Sequence, residues 1–193
     1  MHHKRIYYIV NGISIYRIIA AVFLVYFILV KDVNWFKWLL AISFFTDMID
    51  GYMARKYEVT SIIGSRLDSI GDDMTIAAAM VGLILLKTDF IRQERVLLFS
   101  LFGLYVVQNA VALIKYRKTT AFHTYSAKAG ALFQGLFLIL VFFLDSPPMI
   151  LFYTALIITA INLIEETIMI ILLPHWKTDV KGLFWMNEKE KNS

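Results

Sequence analysis

The 193-residue sequence contains no cysteine and only three prolines. The absence of cysteine excludes disulfide bonds and thiolate metal sites. Pro147 and Pro148 fall between two apolar stretches and Pro174 follows the last one, where a missing backbone donor is tolerated. Charged residues make up only 18% of the chain, against 59% hydrophobic residues, which is more apolar than a soluble globular protein. Composition therefore predicts a membrane protein.

Six apolar stretches are each close to the roughly 20 residues that a transmembrane helix needs. They predict an all-α integral membrane bundle of six transmembrane helices. The predicted helices span about residues 13–30, 35–56, 63–86, 95–115, 127–145 and 149–173.

The ends of the chain differ from these stretches. Residues 1–12 combine Lys4 and Arg5 with apolar neighbours, which predicts a short amphipathic segment on the membrane surface before the first span. Residues 174–193 predict a polar C-terminal tail. No linker or internal repeat divides the sequence, so we expect a single domain over residues 1–193.

Basic residues are unevenly divided between the two predicted membrane faces. With six spans, 14 of the 19 lysines and arginines fall on the side of the termini and 5 on the other. The positive-inside rule then places both termini, and the loops after helices two and four, in the cytoplasm. We expect membrane lipid at this basic face and no nucleic-acid partner.

Five aspartates lie inside the second and third predicted helices. An ionisable side chain at bilayer depth is costly unless it is paired, which marks such a group as functional. Asp47 and Asp50 are three residues apart, so they share one face of their helix. Asp68 and Asp72, four residues apart, do the same. The short connection between the helices makes them antiparallel neighbours, which predicts that the two acidic faces meet near one membrane surface.

Four adjacent carboxylates repel one another unless cations neutralise them. Oxygen ligands favour hard ions, and their number suits a pair of Mg²⁺ or Mn²⁺ ions. The alternative is structural ion pairing with Arg55, Lys56 and Arg66, but three cations cannot serve five aspartates at low dielectric. The sequence therefore predicts a two-metal site, with the ligands Asp47, Asp50, Asp68 and Asp72.

The aspartates belong to a longer pattern of fixed offsets, which covers 26 positions. Its eight members are Asp47, Asp50, Gly51, Ala54, Arg55, Gly64, Asp68 and Asp72. This pattern resembles the signature of the CDP-alcohol phosphatidyltransferase family at every fixed position, which makes it far more specific than a lone glycine motif.

A weaker resemblance lies upstream, at the start of the first predicted helix. Asn11, Ile13, Ser14 and Arg17 are similar to a pattern of Asn, Leu, Thr and Arg that family members often carry there. Asn11 and Ser14 are residue types that favour helix N-caps. We expect them to cap the first helix, and contact with atoms of the donor headgroup is the alternative.

The resemblance implies a phospholipid-biosynthesis transferase. In that reaction an acceptor hydroxyl attacks the phosphorus of a CDP-linked donor, here CDP-diacylglycerol, and CMP is released. By position, Asp47, Asp50 and Asp68 would bind metal, and Asp72 would join the metal site and act as the general base. The residues that would line the cytidine diphosphate pocket are Gly51, Ala54, Arg55 and Gly64. The resemblance also implies a homodimer in the bacterial inner membrane, with its active site facing the cytoplasm.

The acceptor is a small polar alcohol whose identity stays open. An anionic acceptor needs basic partners, although positive-inside topology also explains the basic residues after helix four. These candidates are Lys115, Arg117, Lys118 and Lys128.

The nearest resemblance is to phosphatidylglycerophosphate synthases, with two departures. Those enzymes usually carry an Arg-Glu pair in the fourth helix and a lysine after the fourth aspartate. This chain has Gln108 and Asn109 in the helix, and Asp73 follows Asp72. Glycerol 3-phosphate is thereby disfavoured. A phosphoinositol-type synthase stays open, as does a CDP-alcohol that donates to diacylglycerol.

An aspartate-site divalent-metal transporter is the alternative from another functional class. It predicts inverted repeats, which the sequence lacks, and it does not require the fixed offsets to Gly51, Ala54 and Arg55.

Glu165 and Glu166 are two further acidic residues within an apolar stretch, the sixth. They predict a buried polar contact, for which the basic residues considered as partners are Lys128 and Arg17. A role in acceptor recognition is the alternative.

Overall fold

The computed structural model describes the backbone of residues 2–57, 62–120, 122–178 and 180–186. Some side chains within these ranges fall outside the description: those of residues 2–7, 9–10, 51, 54–55, 62–63 and 65. The described part forms six α-helices and one short 3-10 helix, without a strand, which confirms the all-α prediction. The α-helices are α1 His2–Leu29, α2 Val33–Lys56, α3 Ile62–Leu86, α4 Thr88–Tyr116, α5 Tyr125–Phe143 and α6 Met149–Leu172, and the 3-10 helix is Leu183–Trp185.

Among the described residues, five helices contain stretches long and apolar enough to cross a membrane. These stretches are Asn11–Leu29, Arg66–Leu86, Thr88–Tyr116, Tyr125–Phe143 and Met149–Leu172. Large apolar side chains point outward along them, as at Ile114 and Ile150, which suits contact with lipid. α2 does not meet the same standard, and it carries Lys37, Asp47 and Asp50 in its apolar stretch. The six-helix membrane bundle is confirmed, whereas the membrane crossing of α2 stays a prediction.

Two helices begin earlier than the sequence indicated. α1 is continuous from His2, so the predicted surface segment runs into the first span without a break. Asn11 and Ser14 therefore lie inside α1, and the prediction that they cap it is wrong, because no proline precedes them to end the earlier turns. α4 begins at Thr88 rather than near residue 95, and Asp89 in its first turn suits the positive end of the helix dipole.

The chain divides into two compact units, Met1–Ile91 and Arg92–Ser193. The expectation of a single domain stays a prediction. In the first unit α1 packs against both α2 and α3, and α2 packs against α3. A Cβ atom at Gly82 of α3 would overlap the buried ring of Phe36 on α2, so this glycine permits the close approach of the two helices.

In the second unit α5 packs against α6, and the segment after α6 folds back. Tyr116 donates its hydroxyl to the carbonyl oxygen of Leu173 at 2.6 Å, and Trp176 donates its ring N–H to the Thr119 carbonyl at 3.0 Å. The described part of the predicted polar tail therefore contacts the rest of the unit through Trp176, although most of its side chains are exposed. The buried cluster beneath it consists of Ala112, Phe122, Met169, Ile170, Leu173 and Met186.

Candidate metal centre

Helices α2 and α3 bring the four signature aspartates to one point in the first unit. Asp47, Asp50 and Asp68 each offer a carboxylate oxygen, and these three atoms lie within 4.8 Å of one another. Asp72, one turn after Asp68 on α3, shares a hydrogen-bonding partner with all three. The structure therefore gathers the two acidic faces that the helical spacing predicted would meet.

The shared partner is Arg17 on α1, which the sequence analysis did not assign to this site. Its Nη1 donates to Oδ1 of Asp47 and to Oδ1 of Asp72. Its Nη2 donates to Oδ1 of Asp68 and, at 3.1 Å, to Oδ2 of Asp50. One guanidinium thus forms ion pairs with four carboxylates. Two sequence signals could have found it: its place in the upstream pattern of Asn11, Ile13, Ser14 and Arg17, and its position as an arginine inside an apolar span.

Close packing of α1 on α3 puts Arg17 in this position. A Cβ atom at Gly71 of α3 would lie 3.3 Å from the Arg17 Cβ and 3.4 Å from the Ser14 carbonyl oxygen. Gly71 falls between Asp68 and Asp72, so its missing side chain allows α1 to approach at the level of the carboxylates. In the structure Gly71 thus permits the close approach of a helix.

The site has a buried floor and an open rim. Arg17 and Asp50 are each only 1% exposed, whereas the side chains of Asp47, Asp68 and Asp72 are 37–40% exposed. Beside the rim lies a small cleft of about 90 Å³. Its lining residues are Arg17, Ser43, Phe44, Asp47, Asp72, Thr75 and Ile76. A small polar group can thus reach two of the carboxylates.

The donor set suits a hard divalent cation. Four carboxylates supply oxygen ligands only, which Mg²⁺ and Mn²⁺ prefer. Arg17 offsets one of the four negative charges, so the site retains a net negative charge that further cations would neutralise. The aspartate cluster can therefore bind a divalent metal ion.

The alternative ion-pair partners do not serve the aspartates in the described part of the chain. Lys56 is exposed, and its Nζ lies 5.4 Å from the Tyr52 ring centroid. Arg66 is also exposed. The remaining alternative partner, Arg55, has a side chain outside the description.

The expected cytidine diphosphate pocket is described only in part. Gly51, Ala54 and Arg55 lie in α2, with side chains outside the described residues. Gly64 lies half-buried in α3, four residues before Asp68. The assignment of these four residues to the donor stays a prediction.

The four basic residues predicted to bind the acceptor lie in the second unit, and their neighbours differ. Lys115 donates to the carbonyl oxygens of Ile170 and Ile171, both at 2.9 Å, where a cation suits the end of α6. The Lys118 Nζ lies 4.7 Å from the Trp176 ring centroid. The Lys128 Nζ lies 5.8 Å from the Tyr125 ring centroid, and Arg117 follows the end of α4 with a φ of 55°. Their role in acceptor binding stays a prediction.

Glu166 is the acceptor in a buried hydrogen-bond network of the second unit. Gln108 on α4 donates from its Nε2 to the Glu166 carboxylate and to Thr120, both at 2.9 Å. Thr120 and Asn162 also donate to Glu166, at 3.2 and 3.3 Å. The expectation of a buried polar contact is met by neutral donors rather than by Lys128 or Arg17, and Arg17 pairs with the aspartates instead.

Glu165 ties the segment after α6 to the bundle. It accepts a hydrogen bond from Ser126 on α5, and the Leu183 backbone N–H donates to it at 2.9 Å. The two glutamates therefore hold α4, α5 and the C-terminal segment against α6. A role for either glutamate in acceptor recognition stays a prediction.

Comparison with known proteins gives two matches. A family model described as CDP-alcohol phosphatidyltransferase matches residues 7–172. A curated relative, the CDP-diacylglycerol–inositol 3-phosphatidyltransferase of Saccharomyces cerevisiae (strain ATCC 204508 / S288c), is 37% identical over 75 residues. That alignment covers 39% of this chain and 34% of the relative, about a third of its length. No solved structure matches the chain.

Proposed function

Because the chain belongs to the CDP-alcohol phosphatidyltransferase family, whose model spans residues 7–172, we propose that it transfers a substituted phosphate from a CDP-linked donor to an alcohol acceptor. The observation that carries the proposal is the convergence of four carboxylates from α2 and α3 at one partly open site. Phosphoryl transfer by a two-metal mechanism uses a site of this kind, where oxygen ligands hold divalent cations around a diphosphate.

The proposed step exchanges one phosphorus–oxygen bond for another. A bond forms between the acceptor oxygen and the donor phosphorus, the bond from that phosphorus to the bridging oxygen breaks, and CMP leaves. Asp72 takes the proton of the acceptor hydroxyl. Its carboxylate lines the cleft beside Asp47, which supports access by a small polar group.

Asp47, Asp50, Asp68 and Asp72 would hold the metal, which we propose to be a pair of Mg²⁺ or Mn²⁺ ions. When bound, these ions neutralise charge that develops on the transferring group. Arg55 and the small residues Gly51, Ala54 and Gly64 would bind the cytidine diphosphate part of the donor. A guanidinium suits phosphate because its fork can donate two hydrogen bonds at once.

We further propose CDP-diacylglycerol as the donor and inositol, or an inositol phosphate, as the acceptor. Two observations support this choice. The name of the yeast relative gives CDP-diacylglycerol and inositol as the substrates of that protein. Gln108, at one of the departures from the phosphatidylglycerophosphate synthase pattern, is committed to Glu166 and Thr120. The basic loops favour an active site on the cytoplasmic face, and a homodimer remains part of the proposal.

The test is to supply purified protein with CDP-diacylglycerol, Mn²⁺ and one radiolabelled acceptor at a time. The acceptors are inositol, inositol phosphate and glycerol 3-phosphate, and the lipid products are separated by thin-layer chromatography. We expect labelled lipid from one of the inositol acceptors and at least about tenfold less from glycerol 3-phosphate. A phosphatidylglycerophosphate product alone would contradict the acceptor, and the absence of a lipid product with every acceptor would contradict the reaction.

A matched assay distinguishes the proposed arrangement of substrates from the reversed one, in which a soluble CDP-alcohol donates to diacylglycerol. Soluble CDP-alcohols are offered with diacylglycerol under the same conditions. Lipid formed only in this assay would assign the diacyl chains to the acceptor rather than to the donor.

A further inference from the structure

Arg17 is buried beside the carboxylates and does not extend to them from the protein surface. It lies within α1, is 1% exposed, and its Cβ would be 3.3 Å from a Cβ atom added at Gly71 of α3. The Nε atom is buried and makes no hydrogen bond among the described residues. Both terminal nitrogens, by contrast, are fully engaged with aspartates. All of its described hydrogen bonding is therefore directed at the four carboxylates.

The guanidinium engages the same carboxylates that a divalent cation would need. Asp47, Asp50 and Asp68 could each donate one oxygen to an ion, and each of these carboxylates already accepts a hydrogen bond from Arg17. A guanidinium and a metal ion in one cluster also repel each other, and the repulsion is strong where the surroundings are buried. The two cations therefore compete for these carboxylates in the arrangement described.

We propose that Arg17 is an internal counter-cation, which holds the four carboxylates together before metal binds and which a divalent ion must displace. The inference rests on the proposed function only in that the aspartates bind metal. Arg17 stabilises the metal-free site, because four unpaired carboxylates at this depth would repel one another. For the same reason it weakens the affinity of the site for metal. Arg17 is thus a positioning residue that sets metal affinity.

Mn²⁺ binding to the purified full-length chain tests the proposal without any nucleotide or lipid substrate. Free Mn²⁺ is measured by electron paramagnetic resonance while the metal is titrated into wild type and into Arg17→Gln. Glutamine removes the competing charge, so we expect Mn²⁺ to bind about tenfold more tightly to the variant. Unchanged or weaker binding would overturn the proposal.

Arg66→Gln is the matched control. It removes the same charge from α3 two residues before Asp68, but the Arg66 side chain is exposed and forms no ion pair with the cluster. Exposed charges are screened by solvent, so its Mn²⁺ affinity should stay within about twofold of wild type. An equal gain in Mn²⁺ affinity in Arg17→Gln and Arg66→Gln would overturn the proposal, because the gain would then follow from the change in net charge rather than from the position of Arg17.

Arg17→Lys keeps the inference testable if the glutamine variant does not fold. Lysine retains the charge but cannot donate to four carboxylates through a planar fork. We expect its Mn²⁺ affinity to lie between those of wild type and Arg17→Gln. The thermal midpoint should fall in both variants without metal and should rise more on Mn²⁺ addition than in wild type.

The failures of the two proposals differ. Mn²⁺ binding that is present and equal in wild type and both Arg17 variants overturns the role of Arg17 and leaves the metal site standing. The absence of Mn²⁺ binding from every variant overturns the metal site, and the role of Arg17 with it.

Discussion

Replacing Asp72 by asparagine is expected to lower the rate of CMP release by about 10²- to 10⁴-fold, because the amide cannot take the proton of the acceptor hydroxyl. Asparagine has nearly the same shape, and the side chain is 37% exposed, so the fold should survive. The rate is measured at saturating Mn²⁺ and donor, which separates the loss of the proton acceptor from weaker binding of either.

Asp73→Asn is the control for this variant. Asp73 is the next residue of α3, is exposed, and takes no part in the Arg17 ion pairs. Its variant should release CMP at a rate within about twofold of wild type, as most surface substitutions are neutral. A rate for Asp72→Asn above about a tenth of wild type would contradict the assigned proton acceptor, since general bases contribute at least about 10²-fold. An equal loss in the two variants would assign the effect to charge alone.

Replacing Gln108 by leucine is expected to lower the free energy of unfolding by about 2 kcal/mol, because the buried carboxylate of Glu166 loses its hydrogen bond from Gln108. Unfolding is measured in mixed detergent micelles, where both variant and wild type are soluble. Asn109→Leu is the matched control, because among the described residues Asn109 donates only to the Tyr105 carbonyl of its own helix. That variant should be neutral or slightly stabilising in an apolar span.

A second substitution separates the lost hydrogen bond from poor packing. In the Gln108→Leu background, Glu166→Leu removes the carboxylate that lacks its partner, so we expect stability to return by about 1 kcal/mol or more. A double variant less stable than Gln108→Leu would show that Glu166 stabilises α6 independently of Gln108. Full stability of Gln108→Leu alone would contradict the structural role of the network.

The sequence contained enough information to predict the meeting of the aspartates. Spacings of three and four residues put Asp47 with Asp50, and Asp68 with Asp72, on single helix faces. The short connection after α2 left the two faces little freedom to separate. Both arguments are local, because they need only helix geometry and the length of one loop.

The partners of these acidic groups could not be found by local arguments. Arg17 reaches Asp72 across 55 positions, and Gln108 reaches Glu166 across 58. Helix periodicity does not say which of several apolar helices packs beside another. Gly71 carried the missing information, since a residue without a side chain at the level of the aspartates marks a close helix contact. The early start of α4 was missed for a different reason. Charged residues were taken to mark the end of a membrane span, although they are compatible with a continuing helix.

The central claim is that the aspartate cluster uses a divalent metal to transfer a substituted phosphate from a CDP-linked donor. CMP release from CDP-diacylglycerol in the presence of a polar alcohol, measured in one purified preparation, tests it most directly. The account predicts no CMP after treatment with a chelator, and release restored by Mg²⁺ or Mn²⁺ in wild type but not in Asp72→Asn. CMP release that persists without metal, or metal flux into proteoliposomes with no CMP released under any condition, would contradict it.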